Sequence, residues 1–467
     1  MSAGIGMSLN EECLEKMRRG IAPLQPIRGD RYSGIAFLTK DGIVNERNEE
    51  GGTVDKVIQK AISINPHVLE SQTAIGGVDY TDSQPKFIEK SKIGPFAIAG
   101  DVKIVNRDEL SRKYPYLLGS DIRLCAGLVG GSDDPVEGLA TVIREVRGRF
   151  TLIVLTTDGV FACKDPRGFN SLAIARNEKG YCAVCSESLA LGAAFDDDKA
   201  EILREVYPGE IIQVKSTGFQ SLKRQPSPGL VLCPFGIGYG QGTASIFENI
   251  DIGLARANMG ITLARKYGVS AEKAFPFPLS GNSAEEGYIE ESRIPHINVW
   301  EYHSLGRSYL RGTEQERRER GRDKYSPIQW VLRKYKTFIG VDDSIVEGNQ
   351  FLARLFLLHA LLAKFHPLDE DRGIHIRIAC PPKVNGCPLD VPEHPTEKLF
   401  AVSRSKEDMK KELRAKSLEF NTIDDFVEAV LSAQSEERKT KNPITKDNLC
   451  LCCFERGEDL IKKYLQY

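Results

Sequence analysis

Residues 338–350 read Phe338-Ile339-Gly340-Val341-Asp342-Asp343-Ser344-Ile345-Val346-Glu347-Gly348-Asn349-Gln350. A short apolar run ends in two adjacent carboxylates. A small polar residue, two β-branched residues and a glycine follow, and then an apolar stretch, residues 351–365. The pattern predicts strand, loop, helix. A loop leading into a helix N-terminus offers unpaired backbone N–H groups and the positive end of the helix dipole, which suits a phosphate. Two carboxylates at the carboxyl end of a strand suit sugar hydroxyls, directly or through Mg²⁺. One loop is thus equipped to hold both ends of a ribose 5-phosphate; an exposed acidic turn without a ligand is the plainer reading of the same residues.

Outward from this stretch, the second half alternates strand and helix signals in the α/β manner. Residues 248–266 predict a helix. Ala274-Phe275-Pro276-Phe277-Pro278 predicts a strand, followed by Leu279-Ser280-Gly281, and residues 374–379 predict another strand ending in Cys380-Pro381-Pro382. The first half reads differently, as strands in pairs. Residues 33–38 run into Lys40-Asp41-Gly42, residues 150–155 and 160–163 flank Asp158-Gly159, and residues 181–184 and 211–214 predict two more strands, an α+β pattern of packed antiparallel sheets. Residues 216–229, rich in Ser, Gly and Pro, read as the linker between the halves.

With 467 residues, 41% hydrophobic and 27% charged, the chain has room for two or three domains of ordinary soluble composition. A net charge of −2 gives no reason to expect nucleic acid as a partner. No apolar run approaches the roughly 20 residues that span a bilayer. The stretch Met1-Ser2-Ala3-Gly4-Ile5-Gly6-Met7 lacks the basic and apolar regions of a signal peptide, so a cytoplasmic, reducing location is expected. The 11 cysteines are then read as buried, metal-binding or redox residues. Cys450-Leu451-Cys452-Cys453 contains a Cys-x-x-Cys spacing that closes on Zn²⁺ or an iron–sulfur cluster.

Val341-Asp342-Asp343-Ser344-Ile345-Val346-Glu347-Gly348 resembles the phosphoribosylpyrophosphate (PRPP) loop of type I phosphoribosyltransferases, and more narrowly that of the glutamine PRPP amidotransferase (amidophosphoribosyltransferase) family. Lys164-Asp165-Pro166-Arg167-Gly168, Cys185-Ser186-Glu187-Ser188, Pro208-Gly209-Glu210 and Ala255-Arg256-Ala257-Asn258-Met259-Gly260 resemble further landmarks, so the likeness extends over nearly the whole chain. It implies an α+β glutaminase-like domain of the N-terminal-nucleophile type over residues 1–225, an α/β type I phosphoribosyltransferase domain over 226–440, and a cysteine-bearing tail over 441–467. It implies PRPP with Mg²⁺ as ligand: Asp342 and Asp343 on the ribose hydroxyls or the metal, Ser344, Ile345, Val346, Gly348 and Asn349 around the 5′-phosphate, and Ser280, Arg307, Arg322 and Lys324 toward pyrophosphate. Some members carry a [4Fe–4S] cluster on four dispersed cysteines; Cys233, Cys387, Cys450 and Cys453 stand at the matching places, with Zn²⁺ as the alternative occupant. The tail is charged on both sides of its cysteines, so a cluster is expected to be what pins it. A homo-oligomer is expected.

The departures fall on chemical positions. Where the family continues its loop with Arg-Gly-Thr-Thr, this chain has Glu347-Gly348-Asn349-Gln350. Its mature N-terminal Cys-Gly-Ile aligns with Ala3-Gly4-Ile5, leaving Ser2 as the candidate nucleophile if Met1 is removed. The glutamine-clamping Gly-His-Val-Arg-Tyr is Gly76-Gly77-Val78-Asp79-Tyr80, and the oxyanion-hole His-Asn-Gly is Gly100-Asp101-Val102. The expectation is a phosphoribosyltransferase of the purine-biosynthesis type that uses ammonia or another amine and has lost glutamine hydrolysis. The alternative is a non-catalytic paralogue that binds a nucleotide or a partner enzyme.

Overall fold

The computed structural model describes residues 2–29, 31–48, 52–196, 199–303, 325–391, 393–457 and 460–466. In the first half, strands with apolar residues on both faces stack into two sheets. One has seven strands in the order Ala200–Glu205, Ala173–Asn177, Cys182–Cys185, Ser2–Ser8, Thr73–Asp79, Tyr32–Thr39, Gly42–Arg47. The other has six: Gly218–Arg224, Glu210–Lys215, Gly159–Lys164, Gly148–Thr156, Phe96–Ile104, Lys86–Ile88. All their pairings are antiparallel. Small and β-branched residues, Ala36, Ile75, Ala97, Ala99, Ile153 and Val184 among them, fill the space between the sheets. Helices Leu14–Ile21, Val54–Ile64 and Ser188–Phe195 cover one outer face, and Asp121–Gly130 with Pro135–Glu145 covers the other. The result is a four-layer αββα sandwich.

The second half carries a four-stranded parallel sheet, Lys273–Pro276, Thr337–Asp342, Gly373–Ile378, Ser417–Phe420. Alternation along Thr337–Asp342 sends Phe338 to one face and Ile339 with Val341 to the other. Helices Ile252–Tyr267, Asn282–Ser292 and Ile423–Ser432 pack on the second of these faces, and Asn349–Phe365 on the first.

Two local readings differ from expectation. Within 216–229, residues Gly218–Arg224 form an edge strand paired with Glu210–Lys215, because the flanking turn residues bound a hairpin. The helix expected from 248 starts at Ile252: Glu248 and Asn249 take φ of 50° and 61°, and the Asp251 side chain caps by accepting from Leu254 N at 2.9 Å. The tail is held by its own backbone. Leu232 N donates to Asn448 O (2.7 Å), Cys450 N to Leu232 O (2.9 Å) and Val384 N to Cys453 O (2.8 Å), while Arg167 Nε of the first half donates to Tyr464 O (3.1 Å).

Candidate active site

Strand Thr337–Asp342 delivers Asp342 and Asp343 to its carboxyl end, both 3% exposed. Asp342 Oδ1 accepts from Ser280 Oγ (3.1 Å) and from Asp343 N (2.9 Å), and Arg354 Nη2 lies 3.8 Å from Asp342 Oδ2. Asp343 Oδ1 accepts from Ser344 Oγ at 2.9 Å, whereas Asp343 Oδ2 is buried without a hydrogen-bond partner among the described residues. Burial, with the Asp343 charge beside it, pushes the Asp342 carboxyl up to about 8. Burial likewise pushes Asp343 up to about 6, against the pull of the Ser344 hydroxyl and the Arg256 guanidinium. Two such carboxyls and an orphaned oxygen are a donor set suited to a dication or to sugar hydroxyls.

The chain then turns. Gly348 takes φ of 82°, left-handed, directly before helix Asn349–Phe365, and a Cβ there would stand 2.7 Å from Phe400 Cδ2. Phe400 N donates to Val346 O at 2.8 Å, fixing the loop. The first turn of the helix has no acidic residue, so its N–H groups and dipole face the loop uncompensated. Glu347, the reversed charge, points sideways to His394, whose Nδ1 is 3.0 Å from Glu347 Oε1. The side chain that opposes a phosphate on paper is thereby engaged by an imidazole.

Sequence reasoning missed three residues of this site. His394 comes 47 positions after its partner and carries no local signal. Arg354 lies over the rings of Phe277 (5.2 Å to centroid) and Tyr325 (5.3 Å) beside Asp342; a lone arginine in an apolar helix was its signal. Arg256, 5% exposed, gives its guanidinium hydrogens to Ile237 O (2.9 Å), Thr243 Oγ1 (3.1 Å) and Gln241 O (2.8 Å). Its signal was the quoted Ala255-Arg256 motif. Of the expected pyrophosphate contacts, Ser280 is in place against Asp342, while Arg307, Arg322 and Lys324 lie outside the described residues.

A cavity of about 1410 Å³ opens over the loop and extends to the junction of the two halves, where Arg149, Phe169 and Asn170 line it. Cys233, Cys387 and Cys450 line it too. Cys233 is within electrostatic reach of Cys387, Cys450 and Cys453, and the cations Arg149 and Lys383 stand beside this group. Among the described residues, however, no three His, Cys, Asp or Glu side chains are spaced to hold a metal ion.

The Ser2 region is buried. Ser2, 6% exposed in the strand Ser2–Ser8, donates its hydroxyl to Asp101 Oδ1 at 3.1 Å. Asp101 is 2% exposed; burial raises its carboxyl, but the Arg149 and Arg28 guanidiniums outweigh that and hold it below its usual range. Arg149 Nη1 (3.0 Å) and Asn170 Nδ2 (2.9 Å) bind its second oxygen. Gln84, 2% exposed, spans the remaining positions: its Nε2 donates to Asp79 Oδ2 (2.8 Å) and its Oε1 accepts from Gly100 N (2.8 Å). Asp79 and the Gly100 amide are thus engaged by a glutamine side chain of the chain itself. None of Ser2, Asp79, Gln84 and Asp101 lines the large cavity.

No protein-family model matches the chain. It is 27% identical over 471 residues to the amidophosphoribosyltransferase of Methanocaldococcus jannaschii, covering 94% of this chain and 93% of that protein. It is 25% identical over 460 residues to the amidophosphoribosyltransferase of Bacillus subtilis, covering 95% and 91%. The solved glutamine PRPP amidotransferase from Bacillus subtilis, complexed with ADP and GMP, matches with a TM-score of 0.81 at 24% identity over 98% of each chain. A second solved structure, described as the allosteric regulatory enzyme of purine biosynthesis, matches at 0.80 with 23% identity, covering 98% of this chain and 97% of that one. The chain has their two-domain fold.

Proposed function

We infer that this chain, a member of the amidophosphoribosyltransferase family, transfers the phosphoribosyl group of PRPP·Mg²⁺ to ammonia or another amine, in chemistry of the purine-nucleotide type, without hydrolysing glutamine. One observation carries the reading: two buried carboxyls and an orphaned acceptor oxygen stand at the carboxyl end of a parallel strand, one loop away from an uncompensated helix N-terminus. Asp342 and Asp343 would hold Mg²⁺ or the ribose hydroxyls, and Ser344, Ile345, Val346, Gly348 and Asn349 the 5′-phosphate. Ser280 fixes Asp342, and the Glu347 carboxylate is turned toward His394. Mg²⁺ would neutralise charge on the departing pyrophosphate; the protein's share is positioning and electrostatics. The burial of Ser2, whose hydroxyl is donated to Asp101, and the Gln84 side chain bridging Asp79 and Gly100 support the loss of glutaminase. No helix among the described residues is long and apolar enough to cross a membrane, and all 11 cysteines are free thiols, which fits a reducing compartment.

Cys233, Cys387, Cys450 and Cys453 would hold a [4Fe–4S] cluster. The nearness of Cys233 to Cys387, Cys450 and Cys453 supports a shared site, with Zn²⁺ as the alternative occupant. Its role would be structural.

The test is pyrophosphate release from PRPP·Mg²⁺ with ammonium, run beside a glutamate-release assay with glutamine. Release with ammonium and no glutamate from glutamine is expected. Glutamate formation abolished by Ser2→Ala would overturn the second half of the reading and make Ser2 the nucleophile.

A further inference from the structure

Arg354 stands on helix Asn349–Phe365, beyond the residues 341–348 that carry the likeness of the loop, and its side chain is 14% exposed. Long side chains on a helix lean back toward its N-terminus, which carries this one toward the carboxylate pair. The guanidinium is held by its faces, over the rings of Phe277 and Tyr325. Tyr325 is itself tied to the turn before Ser280, its Oη donating to Pro278 O at 2.7 Å. Stacking of this kind leaves the N–H edges of a guanidinium free. Among the described residues only Nε donates a hydrogen bond, to Gln350 O at 3.4 Å. Nη2 lies 3.8 Å from Asp342 Oδ2, beyond hydrogen-bond range. Neither Nη has a hydrogen-bond partner among the described residues, and neither is sealed from the cavity that Arg354 lines with Ser280, Asp342 and Asp343. An arginine fixed by stacking, with both Nη groups open beside a carboxylate it does not grip, is placed for an anion.

The inference rests on the reading of residues 342–349 as a PRPP site. PRPP carries its charge at two places, the phosphate on C5 and the pyrophosphate on C1. With the 5′-phosphate on residues 344–349 and the ring hydroxyls or Mg²⁺ on Asp342 and Asp343, the pyrophosphate is the anion left for a cation beside Asp342. We propose that Arg354 is a catalytic residue, which grips the pyrophosphate of PRPP through its Nη groups and stabilises it as it leaves. In the step, an unprotonated amine nitrogen forms the bond to C1 with its lone pair, and the C1–O bond to pyrophosphate breaks. The electron pair of that bond stays on the pyrophosphate oxygen, and the charge gathering there is what the guanidinium meets. The proton shed by the new C–N nitrogen passes to a pyrophosphate oxygen, and no oxidant or further co-reactant enters.

Binding of PRPP, pyrophosphate and ribose 5-phosphate is measured by titration calorimetry with Mg²⁺ present, on the full chain and on Arg354→Met, which keeps an unbranched stem over Phe277. The variant is expected to weaken PRPP and pyrophosphate by about tenfold or more, the scale of a lost charge-assisted hydrogen bond, and to leave ribose 5-phosphate within about twofold. Arg354→Lys, which restores the charge, is expected to recover part of both losses. Arg354→Gln repeats the neutral test with a polar head, so that a folding defect in one variant does not decide the result. With saturating PRPP and ammonium, kcat for pyrophosphate release is expected to fall in both neutral variants by about tenfold or more, because the charge that Arg354 meets is largest in the transition state. Equal weakening of PRPP and ribose 5-phosphate would mean that Arg354 acts only through Asp342 and would overturn the assignment. Unchanged binding of PRPP and pyrophosphate would overturn it too, and either result leaves the PRPP site standing. A natural sequence that binds neither PRPP nor ribose 5-phosphate would remove the PRPP reading and the assignment together.

Discussion

Asp342 and Asp343 sit side by side, buried, with carboxyls pushed up to about 8 and about 6. The sign of the consequence follows from linkage. Between the ordinary carboxylate range and these values the unfolded chain has lost protons that the folded chain keeps, so folded stability falls as pH rises through that window. Ligand-free protein is therefore expected to lose thermal stability from about pH 4 to about pH 8 on account of this pair. Asp342→Asn/Asp343→Asn should grow more stable relative to the natural sequence over the same range. Thermal unfolding of both at pH 5 and pH 8 checks this; a difference that does not widen with pH would contradict the assigned environment. The pair itself was legible in sequence, because adjacent acids after an apolar run have few structural uses. The environment of Glu347 was not legible, since His394 reaches it through the fold. Nor was the plugging of the Ser2 region by Gln84: substitutions at Ala3, Asp79 and Asp101 signalled altered chemistry, but a buried glutamine bridging Asp79 and Gly100 is set by tertiary packing alone.

The strand–loop–helix element was read correctly because its hydrophobic period changes within a few residues and a glycine marks the change. Gly348 tests that element. Its left-handed φ of 82° disfavours any side chain, and Phe400 Cδ2 occupies the place where a Cβ would need room. Gly348→Ala is expected to destabilise the protein by about 1–2 kcal/mol from the backbone alone, read as a lower urea midpoint, and to weaken PRPP binding because the phosphate loop must shift. An unchanged midpoint would mean that the loop tolerates a different shape. The misread elements share a cause. Residues 216–229 carry linker composition, yet Gly218–Arg224 gains a strand by pairing with Glu210–Lys215. Glu248 has a helix former's propensity, yet its carboxylate accepts from the buried Lys164 of the other half at 3.4 Å, and the chain turns left-handed to put it there. In both, tertiary contact outweighed local preference.

At the scale of the whole molecule, buried charges join the two halves. Glu187 of the first half accepts Arg28 Nε (2.6 Å) and Ser245 Oγ (2.5 Å), and Lys164 lies 3.3 Å from Glu205 and 3.4 Å from Glu248, which also meets Arg438 at 3.2 Å. The change from paired to alternating strand signals matches the change from antiparallel to parallel sheets; the charged junction was invisible, because its members lie up to 274 positions apart (438 − 164). The tail follows the same logic. Backbone bonds and the cluster would anchor it together, so Cys387→Ser is expected to lose most of the iron and acid-labile sulfide of anaerobically prepared protein and to leave the tail more open to limited proteolysis. Protein as prepared that contains no iron would remove the cluster. The central claim is that the loop after Thr337–Asp342 binds PRPP, and titration calorimetry with PRPP and Mg²⁺ tests it most directly. One saturable site is expected, weakened by about 1–3 kcal/mol in each of Asp342→Asn and Asp343→Asn, the range for losing a charged hydrogen bond. Unchanged affinity in the double variant, or no binding heat in the natural sequence, would contradict it.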